Sequence, residues 1–168
     1  MTAAELLDQV VERVAPTPGR TRVLAIAGPV AVGKSTIAAT LAARLRSRGA
    51  SVEVLSTDGF LWPNDVLEAR GLLDRKGRPE TYDLDRLDAL IIASRAGEPS
   101  LSAPVYSHQR YDVLDEPEVF ARPDVLVVEG VVALQRRFGD LGLYVDADVE
   151  DVEAWFVARM HDLVRAGV

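Results

Sequence analysis

The tightest constraint on the fold lies in residues 23–35. Val23-Leu24-Ala25-Ile26-Ala27 is apolar throughout and leads into Gly28-Pro29-Val30-Ala31-Val32-Gly33-Lys34-Ser35. An uninterrupted apolar run of this length suits a strand buried on both faces of a parallel sheet. The eight residues after it satisfy G-x-x-x-x-G-K-[ST]. Residues 35–48 then place Ile37, Leu41 and Leu45 on one helical face, and Gly49 stops the helix. In a strand, glycine-rich turn and helix in that order, backbone N–H groups turn inward and cradle phosphate oxygens. The helix start adds its positive dipole end. Lys34 can reach the β- and γ-phosphates of a nucleoside triphosphate, and the Ser35 hydroxyl can bind Mg²⁺. The expected nucleotide-binding residues are Gly28, Pro29, Val30, Ala31, Val32, Gly33, Lys34, Ser35 and, in the first helical turn, Thr36.

The remaining chain alternates in the same manner. Leu6, Leu7, Val10, Val11 and Val14 predict an amphipathic helix over residues 3–14, ended by Pro16 and Pro18-Gly19. A second strand is expected over residues 52–56. Asp83 can cap a helix carrying Leu84, Leu87, Leu90 and Ile91. A third strand over residues 125–128 runs into Glu129-Gly130. A short helix over 131–138 and a fourth strand over 141–145 follow. The last helix places Val152, Trp155, Phe156, Met160, Leu163 and Val164 on one apolar face. Residues 57–82 show little periodicity and are expected to be rich in loops, a stretch that inside a domain is usually functional or disordered, and residues 100–123 are expected to be irregular. Strands alternating with helices predict an α/β chain with a P-loop NTPase fold: a doubly wound, mostly parallel sheet with helices on both faces.

At 168 residues the chain fits one domain. Its net charge of −7 argues against a nucleic-acid partner, which favours a basic face. A phosphate ligand is still compatible, since local amides and a few cations decide its binding. No apolar run reaches the ~18–20 residues that cross a bilayer. The start lacks the basic region and cleavage site of a signal peptide. No membrane partner is therefore expected, and the expected location is cytoplasmic. With no cysteine there is neither a disulfide framework nor a thiol nucleophile.

Asp58 follows the second strand and Glu129 the third. In an open α/β sheet both project at the carboxyl ends of the strands, beside the phosphate loop. Phosphoryl transfer to an alcohol needs a group that accepts the hydroxyl proton and ligands that hold Mg²⁺. Asp58 is the candidate base. Glu129, with Ser35, is the candidate for the metal shell, directly or through water. A solvated helix cap is the alternative for each acid.

Beyond the phosphate loop, Thr57-Asp58-Gly59-Phe60-Leu61, Pro63-Asn64, Arg70-Gly71-Leu72, Lys76-Gly77, Pro79-Glu80 and Tyr82-Asp83 resemble the type I (bacterial) pantothenate kinases. So do Ala103-Pro104-Val105-Tyr106-Ser107-His108, Tyr111-Asp112-Val113, Glu129-Gly130, Leu134-Gln135 and Tyr144-Val145-Asp146-Ala147. That family lies within the phosphoribulokinase and uridine kinase group of P-loop kinases, and the resemblance covers approximately residues 23–165. It implies transfer of phosphate from ATP, with Mg²⁺, to the terminal hydroxyl of pantothenate, the first step toward coenzyme A. By the same resemblance Asp58 and Lys34 are catalytic, and Arg159 stabilises the transferring phosphoryl charge. Asp58, Tyr106 and His108 meet the acceptor. Phe156 stands where these kinases carry a substrate-facing tyrosine, so a ring is kept and a hydrogen bond is lost. The resemblance also implies one kinase domain over residues 1–168 that lacks the family's C-terminal lid and last strand. The expected partner is a small-molecule substrate, and a homodimer stays open. A uridine- or sugar-type kinase of the same group, or a catalytically impaired nucleotide-binding relative, is the alternative; the segment from Pro104 to His108 favours pantothenate.

Overall fold

The structure, a computed structural model, describes residues 2–165; the side chains of residues 3, 159, 160 and 162–164 lie outside the described ones. Four strands make the central sheet: β1 (Arg22–Ala27), β2 (Val52–Ser56), β7 (Val125–Glu129) and β8 (Leu141–Tyr144). Their order is β2-β7-β1-β8, and every pairing is parallel. The two central strands, β1 and β7, carry the longest apolar runs because both of their faces are covered.

Side-chain alternation along β1 divides the core. Leu24 and Ile26 point to one face, where they meet Val10 and Val11 of α1 (Ala3–Arg13), Val14 at its C-cap, and Ala38, Leu41 and Leu45 of α2 (Lys34–Ser47). Val23, Ala25 and Ala27 point to the other, against Leu87, Leu90 and Ile91 of α4 (Leu84–Ala96). This is the doubly wound sheet that the alternation of elements predicts. Local chemistry sets the helix ends. Thr2 and Glu5 form a reciprocal capping box at the start of α1 (3.2 and 2.7 Å). The Asp83 carboxylate accepts from Arg86 N–H at the start of α4 (3.0 Å).

Three expectations are corrected. Residues 57–82 are not irregular throughout: they hold a 3₁₀ turn at Thr57–Phe60, helix α3 (Asn64–Ala69) and two further 3₁₀ turns. Residues 100–123 fold into two small antiparallel pairs, β3 (Ser100–Ala103) with β6 (Glu118–Ala121), and β4 (Tyr106–Ser107) with β5 (Asp112–Val113). Strands of two to four residues contain too few alternations to register as a period. Residues 131–138 are turns rather than a helix, held by bonds such as Gln135 N–H to Val132 O (3.0 Å) and by burial of Val132, Ala133 and Phe138.

The last helix, α5 (Val149–Arg165), is present. Its expected apolar face is not buried among the described residues: Trp155 and Phe156 are 44% and 42% exposed, and only Val152 is half-buried. Met160, Leu163 and Val164 belong to that expectation but have side chains outside the described ones.

Candidate active site

The phosphate loop leaves the C-terminal end of β1 and enters α2 at Lys34. Ala31 (φ 66°) and Gly33 (φ 91°) both take the left-handed conformation, which curls the loop back on itself. For alanine that conformation is strained, as at many ligand-binding loops. The Lys34 ammonium donates to the Pro29 carbonyl at 2.7 Å, so it arches across the loop mouth. Ser35, one residue into α2, donates its hydroxyl to Glu129 Oε1 at 3.1 Å.

Glu129 ends β7, in register with Ser56 at the end of β2. Burial pushes its carboxyl up; the Ser35 bond and the Lys34 charge oppose this, and the nearby Asp58 charge adds to it. A buried carboxylate beside a serine hydroxyl is a hard oxygen pair of the kind that Mg²⁺ takes in combination with phosphates and waters. Among the described residues no group of three or more His, Cys, Asp or Glu could hold an ion by itself. Ser35 and Glu129 therefore suit a cation that arrives with a phosphate ligand.

Asp58 sits on the 3₁₀ turn that follows β2, where its backbone N–H donates to Ser56 Oγ (3.3 Å). The next residue must be glycine, because a Cβ on Gly59 would lie 2.3 Å from the Pro104 carbonyl oxygen. That close approach brings the turn against the segment ahead of β4. Tyr106, which opens β4, and His108, just after it, lie edge to face with ring centroids 5.2 Å apart.

A single cavity of about 390 Å³ unites these groups. Val30, Ala31, Lys34 and Ser35 of the phosphate side line it together with Asp58, Glu129, Tyr106 and His108. A second hollow of about 210 Å³ lies over the loop and the start of α2, bounded by Gly33, Lys34, Ser35, Thr36 and Trp155. Gly28, Pro29 and Val32 complete the loop without bordering either space. Phe156 borders neither and is 42% exposed on α5. Arg159 falls on α5, and its side chain lies outside the described residues.

Lys76, Tyr82, Tyr111 and Trp155 are among the residues that line these spaces without having been given a role by sequence reasoning. The Lys76 ammonium donates to Asn64 Oδ1 and to the Tyr111 carbonyl, and sits 5.0 and 4.5 Å from the ring centroids of Tyr106 and Tyr111. Burial pulls its ionisation down, against the charges of Asp112 and Asp58. Burial, with Tyr111 and the two acids, pushes the Tyr106 phenol up, which keeps its hydroxyl a donor. Lys76, Tyr82 and Tyr111 stand inside segments that carry the family resemblance, but no spacing rule ties them to Asp58.

Residues 23–162 match the phosphoribulokinase / uridine kinase family. The pantothenate kinase of Vibrio cholerae serotype O1 is 45% identical over 153 residues, which is 82% of this chain and 49% of that protein. The pantothenate kinase of Limosilactobacillus reuteri is 47% identical over 149 residues, 82% of this chain and 48% of that protein. The chain thus spans about half the length of the curated relatives it matches. Among solved structures, a "putative fructose transport system kinase" from Silicibacter sp. TM1040 superposes with a TM-score of 0.83 at 30% identity, covering 96% of this chain and 82% of that one.

Proposed function

This chain belongs to the phosphoribulokinase/uridine kinase family, and from that membership we propose that it transfers the γ-phosphoryl group of ATP to the terminal hydroxyl of pantothenate. The observation that carries the reading is the shared cavity, in which Lys34 and Ser35 face Asp58, Tyr106 and His108 across one space. A phosphate donor and an alcohol acceptor bound there meet end to end, as in-line transfer requires.

In the proposed reaction the acceptor oxygen attacks the γ-phosphorus and its proton passes to the Asp58 carboxylate. The bond from the γ-phosphorus to the bridging oxygen breaks, and ADP keeps that electron pair. Lys34 and the inward amides of the loop hold the charge that spreads over the phosphoryl oxygens. Ser35 and Glu129 would hold Mg²⁺, which supplies further neutralisation of the phosphates. Arg159 joins this reading on the family resemblance alone. Phe156 has no part in it. On the acceptor side the Tyr106 hydroxyl and His108 imidazole offer hydrogen bonds to an amide and hydroxyls. The Lys76 ammonium offers a positive charge to an anionic acceptor.

A second reading has its own support: the 30% identical structural relative carries the name of a sugar-transport kinase. ADP release measured with pantothenate, uridine and fructose as acceptors separates the readings. Turnover with pantothenate is the expected result. Turnover confined to uridine or fructose would refute it. Stabilisation by Mg·ATP without turnover on any acceptor would mark a nucleotide-binding relative that has lost catalysis.

A further inference from the structure

We propose that Tyr82 is a positioning residue for Asp58, its hydroxyl holding one carboxylate oxygen so that the other faces the acceptor. The inference rests on the reading of Asp58 as the group that receives the acceptor's proton.

The two residues are 24 positions apart, and the backbone clamps them together. Leu61, just past the turn that carries Asp58, forms an antiparallel bridge with Tyr82. On either side of that bridge, Trp62 N–H donates to the Thr81 carbonyl (2.9 Å) and Asp83 N–H donates to the Phe60 carbonyl (2.7 Å). The Asp58 turn and the Tyr82 backbone are thus fastened together by three consecutive backbone pairings.

The Tyr82 ring has little freedom of its own. It is 6% exposed and packs with Leu61 and Val132 in a small apolar cluster. From that anchor the hydroxyl reaches the cavity and lies 3.4 Å from Asp58 Oδ1. This is long for an O–H···O bond, in the manner of catalytic contacts that shorten when substrate closes a site. Burial, together with the Asp58 charge and this bond, pushes the phenol's ionisation up, so the hydroxyl stays a donor to the carboxylate.

The arrangement has a mechanistic consequence. A carboxylate on a short turn can rotate and offer either oxygen, and only some orientations aim a lone pair at the acceptor. A donor fixed by packing selects one of them before substrate arrives, which lowers the barrier by preorganisation. Replacing the ring by phenylalanine keeps the packing and removes only this selection.

The test is a double-mutant cycle of Tyr82→Phe and Asp58→Asn, followed with labelled ATP so that residual rates stay measurable. Tyr82→Phe should lower kcat roughly tenfold, the scale of one hydrogen bond to a charged group, while KM for the acceptor and the affinity for Mg·ATP stay within about twofold. In the Asp58→Asn background the same substitution should have no further effect. Unchanged kcat in Tyr82→Phe overturns the inference. So does an equal fall in both backgrounds, or a parallel loss of acceptor and nucleotide binding, because each marks a purely structural role. If pantothenate proves not to be the acceptor, the cycle is scored on the acceptor that turns over, water included. The pantothenate reading then fails while the Tyr82 assignment stands or falls on its own result. A chain that turns over nothing overturns both.

Discussion

Glu129 is 7% exposed yet must carry charge to take part in binding a cation. Burial raises its carboxyl above the ordinary 4.5. The folded state therefore holds the proton more tightly than the unfolded chain, so ionisation works against folding. That destabilisation is absent at pH values below the unfolded pKa, grows as pH rises through the window above it, and is complete beyond the folded pKa. Glu129→Gln keeps an acceptor for the Ser35 hydroxyl and removes the charge. The variant is expected to melt higher than the parent at neutral pH, with the difference vanishing toward about pH 4. It should also lose most of the extra stabilisation that Mg²⁺ adds to ATP. Melting curves across this pH range, with and without Mg·ATP, check both parts. A difference that persists in acid, or an unchanged response to Mg·ATP, would show that the carboxylate has another role.

At the scale of elements, the opposite end of β1 is tied to β8 by a different acid. Asp140, just before β8, accepts from Val23 N–H (2.8 Å) and pairs with Arg20 (2.7 Å) and Arg95 (3.2 Å). Burial favours its protonated form, but the Val23 N–H and the two arginines outweigh this and hold the carboxyl below its ordinary value. Its stabilisation is therefore present at neutral pH and is lost as pH falls through the folded value. Asp140→Asn should cost about 1–3 kcal/mol near neutrality, by urea denaturation, and progressively less in acid. Turnover per folded molecule should not change, because the phosphate loop leaves the other end of β1. A fall in kcat without a fall in stability would contradict this division of labour. Strand ends are legible here because Val23 and Leu141 start apolar runs. The expected helix over 131–138 does not form, because burial of Val132, Ala133 and Phe138 takes precedence over local propensity.

At the scale of the whole molecule, the loop, the two strand-end acids and the acceptor-side rings come from distant stretches of chain, so nucleotide binding is coupled to global stability. At a free Mg·ATP concentration 100-fold above its Kd, binding adds about 2.7 kcal/mol. For a chain of this size that is a rise in Tm of roughly 5–10 °C. A calorimetric or fluorescence melt is sufficient to see it, and no shift with either ATP or ADP would count against the phosphate cradle itself. The sequence alone determined that cradle, the four parallel strands and the acids at two of their ends. These are contiguous features, set by apolar runs, by glycine at a turn and by which residue follows a strand. It did not determine that Tyr82 reaches Asp58 across 24 positions, or that Lys76 reaches Tyr111 across 35. Nor did it determine that Phe156 lies outside the cavity. Those outcomes depend on the path of the chain through 3₁₀ turns and two-residue strands, where backbone bonds between distant segments place the side chains. Local pattern encodes which elements form; only their packing decides which side chains share a space.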